Sequence, residues 1–245
     1  MRAKTNVTIS EETTVFLNGV RSLAPVSMEV LKKLAPVPVR VETELSMPQG
    51  SGFGASGAGA LSCAYSLNQK FDLGLTANGA GQVAHMAEVV CGTGLGDVIA
   101  QNTGGLVVRL APGAPGVGAV DRIPVLPLKV DCLVKGPLST EEVLSDPNIM
   151  KEVNREGERA LKSLLQRPTL EKFMILSWKF ARESGLARDW MYDVVEAVEA
   201  LGGMASMVML GDAVFALGGD DVLAEFEKLG DHFTTRISLG GAGLE

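Results

Sequence analysis

The segment PQGSGFGASGAGALSCAYSLN, Pro48 to Asn68, decides how this chain reads: a glycine-dense loop without lysine runs directly into a helix of small residues. Gly50, Gly52, Gly54, Gly57 and Gly59 allow an anion to approach the main chain where a Cβ would block it. The following helix then aims free N–H groups and its dipole at that anion. A Walker A loop requires Lys followed by Ser or Thr, and neither pairing occurs from Gly50 to Gly59, so that motif is excluded. Gly52, Gly54 and Gly57 do satisfy the spacing of a dinucleotide fingerprint, with Asp72 about twenty residues on. In that fold the acidic residue ends a second strand, yet SLNQKF before Asp72 contains no β-branched run. A ligand-free Gly/Ala helix packed tightly on a sheet is the plainer alternative to a phosphate loop.

The 245 residues, 46% of them apolar, are enough for one large domain or two modest ones with a real core. Acidic residues outnumber basic ones by 29 to 22, for a formal charge of −7 without a basic tract, which argues against nucleic acid as a partner. An anionic ligand must therefore be held locally. Apolar stretches are broken well short of a membrane span, and residues 1–10 carry no apolar run behind their basic start, so a soluble, cytoplasmic protein is expected. Cys63, Cys91 and Cys132 are odd in number and lack metal-ligand spacing, and are expected to be buried, inert thiols.

Strands are expected at 6–9, 14–17 and 37–45, the last alternating apolar and polar residues just before the glycine loop. Helices follow at 58–67 and 79–91, then a second glycine turn, CGTGLGDVIAQNTGG, and a strand at LVVRL. Composition shifts near 121–127, the expected domain boundary, ahead of a long strand at 123–135. Helices are expected at 139–165, interrupted near Pro147, at 169–184 with Thr169 as N-cap, and at 189–201 with Asp189 as N-cap and Gly202 as C-cap. A hairpin at 205–217, a helix at 220–229 and a strand in HFTTRISL complete an α+β sandwich with antiparallel pairing.

With these motifs in order, the chain resembles the GHMP kinase superfamily, which includes galactokinase, homoserine kinase and mevalonate kinase. The family pattern P-x-x-x-G-L-G-S-S-A corresponds to Pro48 to Ala58, with Phe53 for Leu and Ala55 for the first Ser. The late small-residue motif corresponds more loosely to GGMASMVMLGDAVFAL. Within the superfamily, GFGASGAGAL, AHMAEVVCGTGLGDVIAQNTGG and ASMVMLG are most similar to the archaeal pantoate-phosphorylating branch, which serves coenzyme A synthesis. The resemblance implies a two-domain fold. Residues 1–124 would form an ATP-binding part like ribosomal protein S5 domain 2, and 125–245 a ferredoxin-like α/β sandwich.

It also implies ATP with Mg2+ as cofactor, and phosphoryl transfer to the primary hydroxyl of pantoate. Homoserine or shikimate as acceptor, or nucleotide binding without turnover, stay open as alternatives. By this resemblance, Pro48, Gly50, Ser51, Gly52, Gly54, Ser56, Gly57 and Ser206 bind the nucleotide's phosphates, Ser56 and Glu88 hold magnesium, and Asp97 contacts the acceptor hydroxyl. His85, one helical turn before Glu88, and Arg109 are assigned to the acceptor's carboxylate, which needs a cation in an otherwise acidic protein. The family pattern opens with a strand and a proline–glycine motif, and the correspondence here begins at what resembles its second or third strand. An exposed sheet edge and self-association as a homodimer are the expectations that follow.

Overall fold

The computed structural model of the chain describes residues 1–94, 96–137 and 146–244. The chain divides into two compact units: Met1–Pro48, Gly54–Arg122 and Ser238–Glu245 belong to the first, and Gln49–Phe53 with Ile123–Ile237 to the second. Each half of the chain thus lends a short segment to the other unit, and the glycine loop itself is divided at Phe53.

In the first unit β1 (Ala3–Ile9), β2 (Thr14–Leu17), β3 (Val20–Ser22) and β4 (Val39–Leu45) form a sheet in the order β1-β4-β2-β3. β1 runs antiparallel to β4, with Val7 opposite Val41, while β2 runs parallel to β4. The period of two sets the faces: Val39, Val41 and Thr43 are buried and Arg40, Glu42 and Glu44 are exposed. Helix α2 (Ala55–Phe71) packs on this sheet, and α1 (Pro25–Leu34) and α3 (Ala77–Cys91) pack on α2 and on each other. Ala60, Leu61, Cys63, Ala64 and Leu67 of α2 share one core cluster with Ala80, Ala84 and Ala87 of α3. Small side chains on both helices permit that close approach. Leu67 is fully buried there, so truncating it to Ala would cost about 2–5 kcal/mol.

The first unit corrects several sequence expectations. α2 begins at Ala55, earlier than expected, and runs to Phe71, where Asp72 closes it in the left-handed region at φ 49. Asp72 therefore ends a helix, and the second strand of a dinucleotide fold is not there. α4 (Asp97–Thr103) forms where only a glycine turn is expected, because Gly92, Gly94 and Gly96 mask the start of a helix of seven residues. α1 is also unanticipated, since it opens on Ala24 and Pro25 without a capping side chain. β5 (Leu106–Ala111) and β6 (Ala119–Ile123) form a two-stranded sheet. The carboxy-terminal segment returns to α4: Gly105 N donates to Ser238 O at 2.7 Å and Ala242 N to Gln101 O at 2.9 Å.

In the second unit β7 (Lys129–Gly136), β8 (Met204–Met207), β9 (Asp212–Leu217) and β10 (Asp231–Arg236) form an antiparallel sheet ordered β10-β7-β9-β8. Helices α5 (Pro147–Gln166), α6 (Leu170–Glu183), α7 (Asp189–Ala200) and α8 (Asp220–Leu229) complete the strand–helices–hairpin–helix–strand order of a ferredoxin-like sandwich. Leu133, Met191, Val195, Val198, Val214 and Phe226 form its core. The strand expected from 123 begins only at Lys129, because Pro124 and Pro127 lack the N–H a ladder needs, and Ile123 instead ends β6 in a separate sheet. Thr169 caps α6 by accepting from Lys172 N at 3.2 Å. Asp189 is the first residue of α7, with Arg188 at the cap position, so the expected aspartate cap does not form. The part of the expected helix at 139–145 lies outside the described residues.

Burial pushes the Cys63 and Cys132 thiols up to about 12, as inert core cysteines require, while Cys91 is only half-buried. Among the described residues no helix is long and apolar enough to cross a membrane.

Candidate active site

The first unit gathers five of the side chains singled out from sequence. Glu88 faces inward from α3 and is fully buried. Thr93 Oγ1 donates to its Oε1 at 2.8 Å, while Oε2 is buried without a hydrogen-bond partner of normal geometry among the described residues. Burial raises the Glu88 carboxyl above its ordinary value; the hydroxyls of Thr93 and Ser56 oppose this, and the Asp97 charge adds to it. Ser56 lies in the first turn of α2 with an exposed side chain, on the Glu88 carboxylate.

Gly94 explains how two carboxylates come together. A Cβ on it would lie 2.2 Å from Glu88 Oε2 and 3.2 Å from Asp97 Oδ2, so only glycine leaves room for both carboxylates there. Asp97 is the first residue of α4. Its side chain keeps an exposed surface but is crowded by protein on its other sides, and this desolvation raises its carboxyl, with the Arg109 cation pulling the other way. Arg109 Nη1 lies 2.8 Å from where a Gly96 Cβ would stand, beside Asp97 in sequence. Half-buried His85 is pushed down, first by burial and then by the Arg109 charge. Ser56, Glu88, Asp97, Arg109 and His85 therefore form one electrostatically linked group.

The glycine loop meets that group through its later residues. Gly54 sits at φ 64 and precedes α2; a Cβ on it would lie 2.7 Å from Gln101 Nε2 and 3.1 Å from Asp97 Cβ. Gly57, buried in the first turn of α2, faces Val98, Gln101 and Asp97 in the same way. Sequence reading missed Thr93 and Gln101. The signal for Gln101 was its spacing of four from Asp97, which places both on one helix face.

The earlier residues of the loop belong to the second unit and rest on main chain. A Cβ on Gly211 would lie 2.1 Å from Ser51 O, and one on Gly52 2.7 Å from Met209 O. The two backbones are in direct contact, so only glycine fits at either position. Ser51 is buried, and Gly50 and Gly52 take φ 74 and 81. The turn supplying Gly211 is held at its far side by Asp212, which accepts from Arg188 Nη1 at 2.9 Å and Trp190 Nε1 at 2.8 Å. Ser206 is buried in β8 opposite Phe215. Pro48 ends the first unit's contribution before the loop.

Chemically, the first-unit group offers two carboxylates and a hydroxyl, hard oxygens that suit a small divalent cation retaining water and phosphate oxygens. The unbonded, buried Glu88 Oε2 is the donor that such an ion would satisfy. Among the described residues no cluster of three or more His, Cys, Asp or Glu side chains forms a closed metal cage.

Comparison with known proteins gives a consistent picture. Residues 22–105 match the family pattern described as GHMP kinases N terminal domain. The chain is 38% identical over 214 residues to a pantoate kinase of Thermococcus kodakarensis, covering 85% of this chain and 70% of that protein. It is 39% identical over 184 residues to a pantoate kinase of Methanocaldococcus jannaschii, covering 73% of this chain and 64% of that one. Among solved structures, a phosphotransferase related to the CoA biosynthesis pathway superposes with a TM-score of 0.86 at 32% identity, covering 97% of this chain and 83% of that one.

Proposed function

Because this chain belongs to the GHMP kinase family, we propose that it transfers the terminal phosphoryl group of ATP to the primary hydroxyl of pantoate, giving 4-phosphopantoate and ADP. The observation that carries this reading is the grouping of Ser56, Glu88, Asp97 and Arg109 beside the glycine loop's later residues. Pantoate as acceptor is supported by its being the named substrate of the relatives at 38% and 39% identity.

In this mechanism the substrate hydroxyl oxygen attacks the γ-phosphorus as the bond to the β,γ-bridging oxygen breaks, and the hydroxyl proton passes to an Asp97 carboxylate oxygen. Asp97 keeps an exposed surface for that proton while its crowded setting raises its basicity. Main-chain N–H groups from Gly50 to Gly57, including Ser51, Gly52 and Gly54, hold the phosphates, with the first turn of α2 behind them. Ser56 and Glu88 would hold Mg2+, which when bound neutralises charge on the β- and γ-phosphates. Arg109 and His85 orient the pantoate carboxylate; His85, pushed down by burial, acts as a neutral hydrogen-bonding group. Ser206 is assigned to the phosphates by the family resemblance, and the working assembly is a homodimer in the cytoplasm.

The test is a panel of pantoate, homoserine and shikimate with MgATP, read by ADP release and by mass spectrometry of the product. Turnover confined to pantoate is expected. Turnover of homoserine without pantoate would remove the acceptor assignment and leave the kinase reading standing.

A further inference from the structure

Gln101 carries a feature that folding alone does not account for. It lies on α4 four residues after Asp97, and its Nε2 donates to Gly54 O at 2.9 Å. Its Oε1 is buried with no hydrogen-bond partner among the described residues. The orientation of the amide is fixed chemically, since the reverse arrangement would set Oε1 against the Gly54 carbonyl. A buried acceptor without a partner is a cost, and a side chain kept at that cost calls for a use.

The surroundings show the use. Gly54 O also accepts from Ala58 N at 2.9 Å, so the carbonyl held by Gln101 is the one that starts α2. Gly54 itself is in the left-handed region at φ 64, which glycine enters without a Cβ penalty. Gln101 is in turn pinned through its own main chain, because its carbonyl accepts from Ala242 N at 2.9 Å and Gly241 packs against Asn102 O. Asp97, one turn earlier on the same face, borders the same glycine: the positions a Gly54 Cβ would contact are Gln101 Nε2 and Asp97 Cβ and Cγ.

We propose that Gln101 is a positioning residue that latches the start of α2, through the Gly54 carbonyl, to the short helix bearing Asp97, so that this end of the phosphate loop and the acceptor base keep a fixed separation. This rests on the reading of Asp97 and the glycine loop given above. Gln101 acts through Gly54, and the unsatisfied Oε1 is the stability given up for that alignment.

The latch and a purely structural role predict opposite results in Gln101→Met, which keeps the side chain's length and removes both the donor and the orphan acceptor. In the full chain, the latch predicts a melting temperature equal to or above wild type together with a three- to tenfold rise in KM for ATP, the scale of one hydrogen bond. Gln101→Glu should raise that KM further, because a carboxylate cannot donate to Gly54 O and sets a negative charge beside the phosphates. Gln101→Asn, too short by one methylene, should resemble Gln101→Met in KM. Unchanged kinetics in all three variants would overturn the proposal, and so would a Gln101→Met protein that fails to fold or loses stability in step with activity. The underlying reading is tested separately by ATP calorimetry on the wild type. If the wild type binds MgATP and Gln101→Met binds it equally well, the latch alone falls; if the wild type does not bind, both fall.

Discussion

The two halves of the glycine loop are held in different ways. Gln49–Phe53, in the second unit, rests main chain against main chain on the turn at 208–211, where glycine is compulsory on both sides. From Gly54 onward the loop belongs to the first unit and is bordered by side chains, the Gln101 amide and the Asp97 carboxylate. Backbone contact leaves no room for adjustment, whereas side chains can swing aside. The first arrangement fixes a shape, and the second sets main chain beside groups with chemistry of their own.

The largest effect should therefore come from Gly211→Ala. Its Cβ would fall 2.1 Å from Ser51 O, and neither backbone can yield locally. ATP affinity by calorimetry is expected to drop by more than about a hundredfold, on the scale of backbone displacement in a packed site. Gly54→Ala meets the flexible end of Gln101 and, less closely, the Cβ and Cγ of Asp97, and carries a left-handed penalty of about 1–2 kcal/mol, so its loss of affinity should be nearer tenfold. Equal damage from the two changes would break the distinction between the halves.

Next in size is the chemistry on the side-chain half. Asp97→Asn should lower kcat by about 10²–10⁴-fold while leaving the Kd for ATP within a few-fold of wild type. Wild-type turnover in that variant would remove Asp97 from proton transfer. Glu88→Gln should leave the fold as stable or more stable, because it replaces a buried carboxyl that burial already disfavours when charged. It should nevertheless raise the magnesium concentration needed for half-maximal rate, measured by titrating the metal at fixed ATP.

The smallest effect is a pH dependence in which activity and stability run in opposite directions. Glu88 and Asp97 both have carboxyls raised in the folded protein, chiefly by burial. The folded state thus binds protons more tightly than the unfolded one. Their contribution to stability is complete below the unfolded value, near about 4, and is lost as pH rises through the folded value. Turnover requires both groups ionised and should climb over the same range. Subtracting the Glu88→Gln and Asp97→Asn melting profiles from wild type isolates this contribution, and a difference that grew with rising pH would contradict the sign.

Much of this organisation was legible in the residues. The alternation in VRVETEL and the Thr169 cap are local patterns that survive folding, whereas α3 turns Ala80, Ala84, Ala87 and Glu88 inward and leaves Met86 and Val90, expected on its apolar face, exposed. What escaped were elements whose signals are short or crossed. α4 is too brief to show a period and is hidden behind glycines, and the start of β7 reads too early until Pro124 and Pro127 are weighed as breaks. Gln101 was passed over for the same reason, since its partner Gly54 lies 47 residues away and no spacing rule connects them.

By itself, then, the sequence determined that a lysine-free glycine loop precedes a small-residue helix, that Asp97 follows a glycine run, and that no basic tract is present, because each is a property of neighbouring residues. Only the tertiary structure decided that Glu88 and Asp97 approach each other around Gly94, that Gly211 must be glycine because Ser51 lies against it, and that Gln101 grips Gly54. Those facts depend on which distant backbone atoms share a space, and the cost of crowding or of an unpaired buried oxygen appears only once the chain has closed on itself.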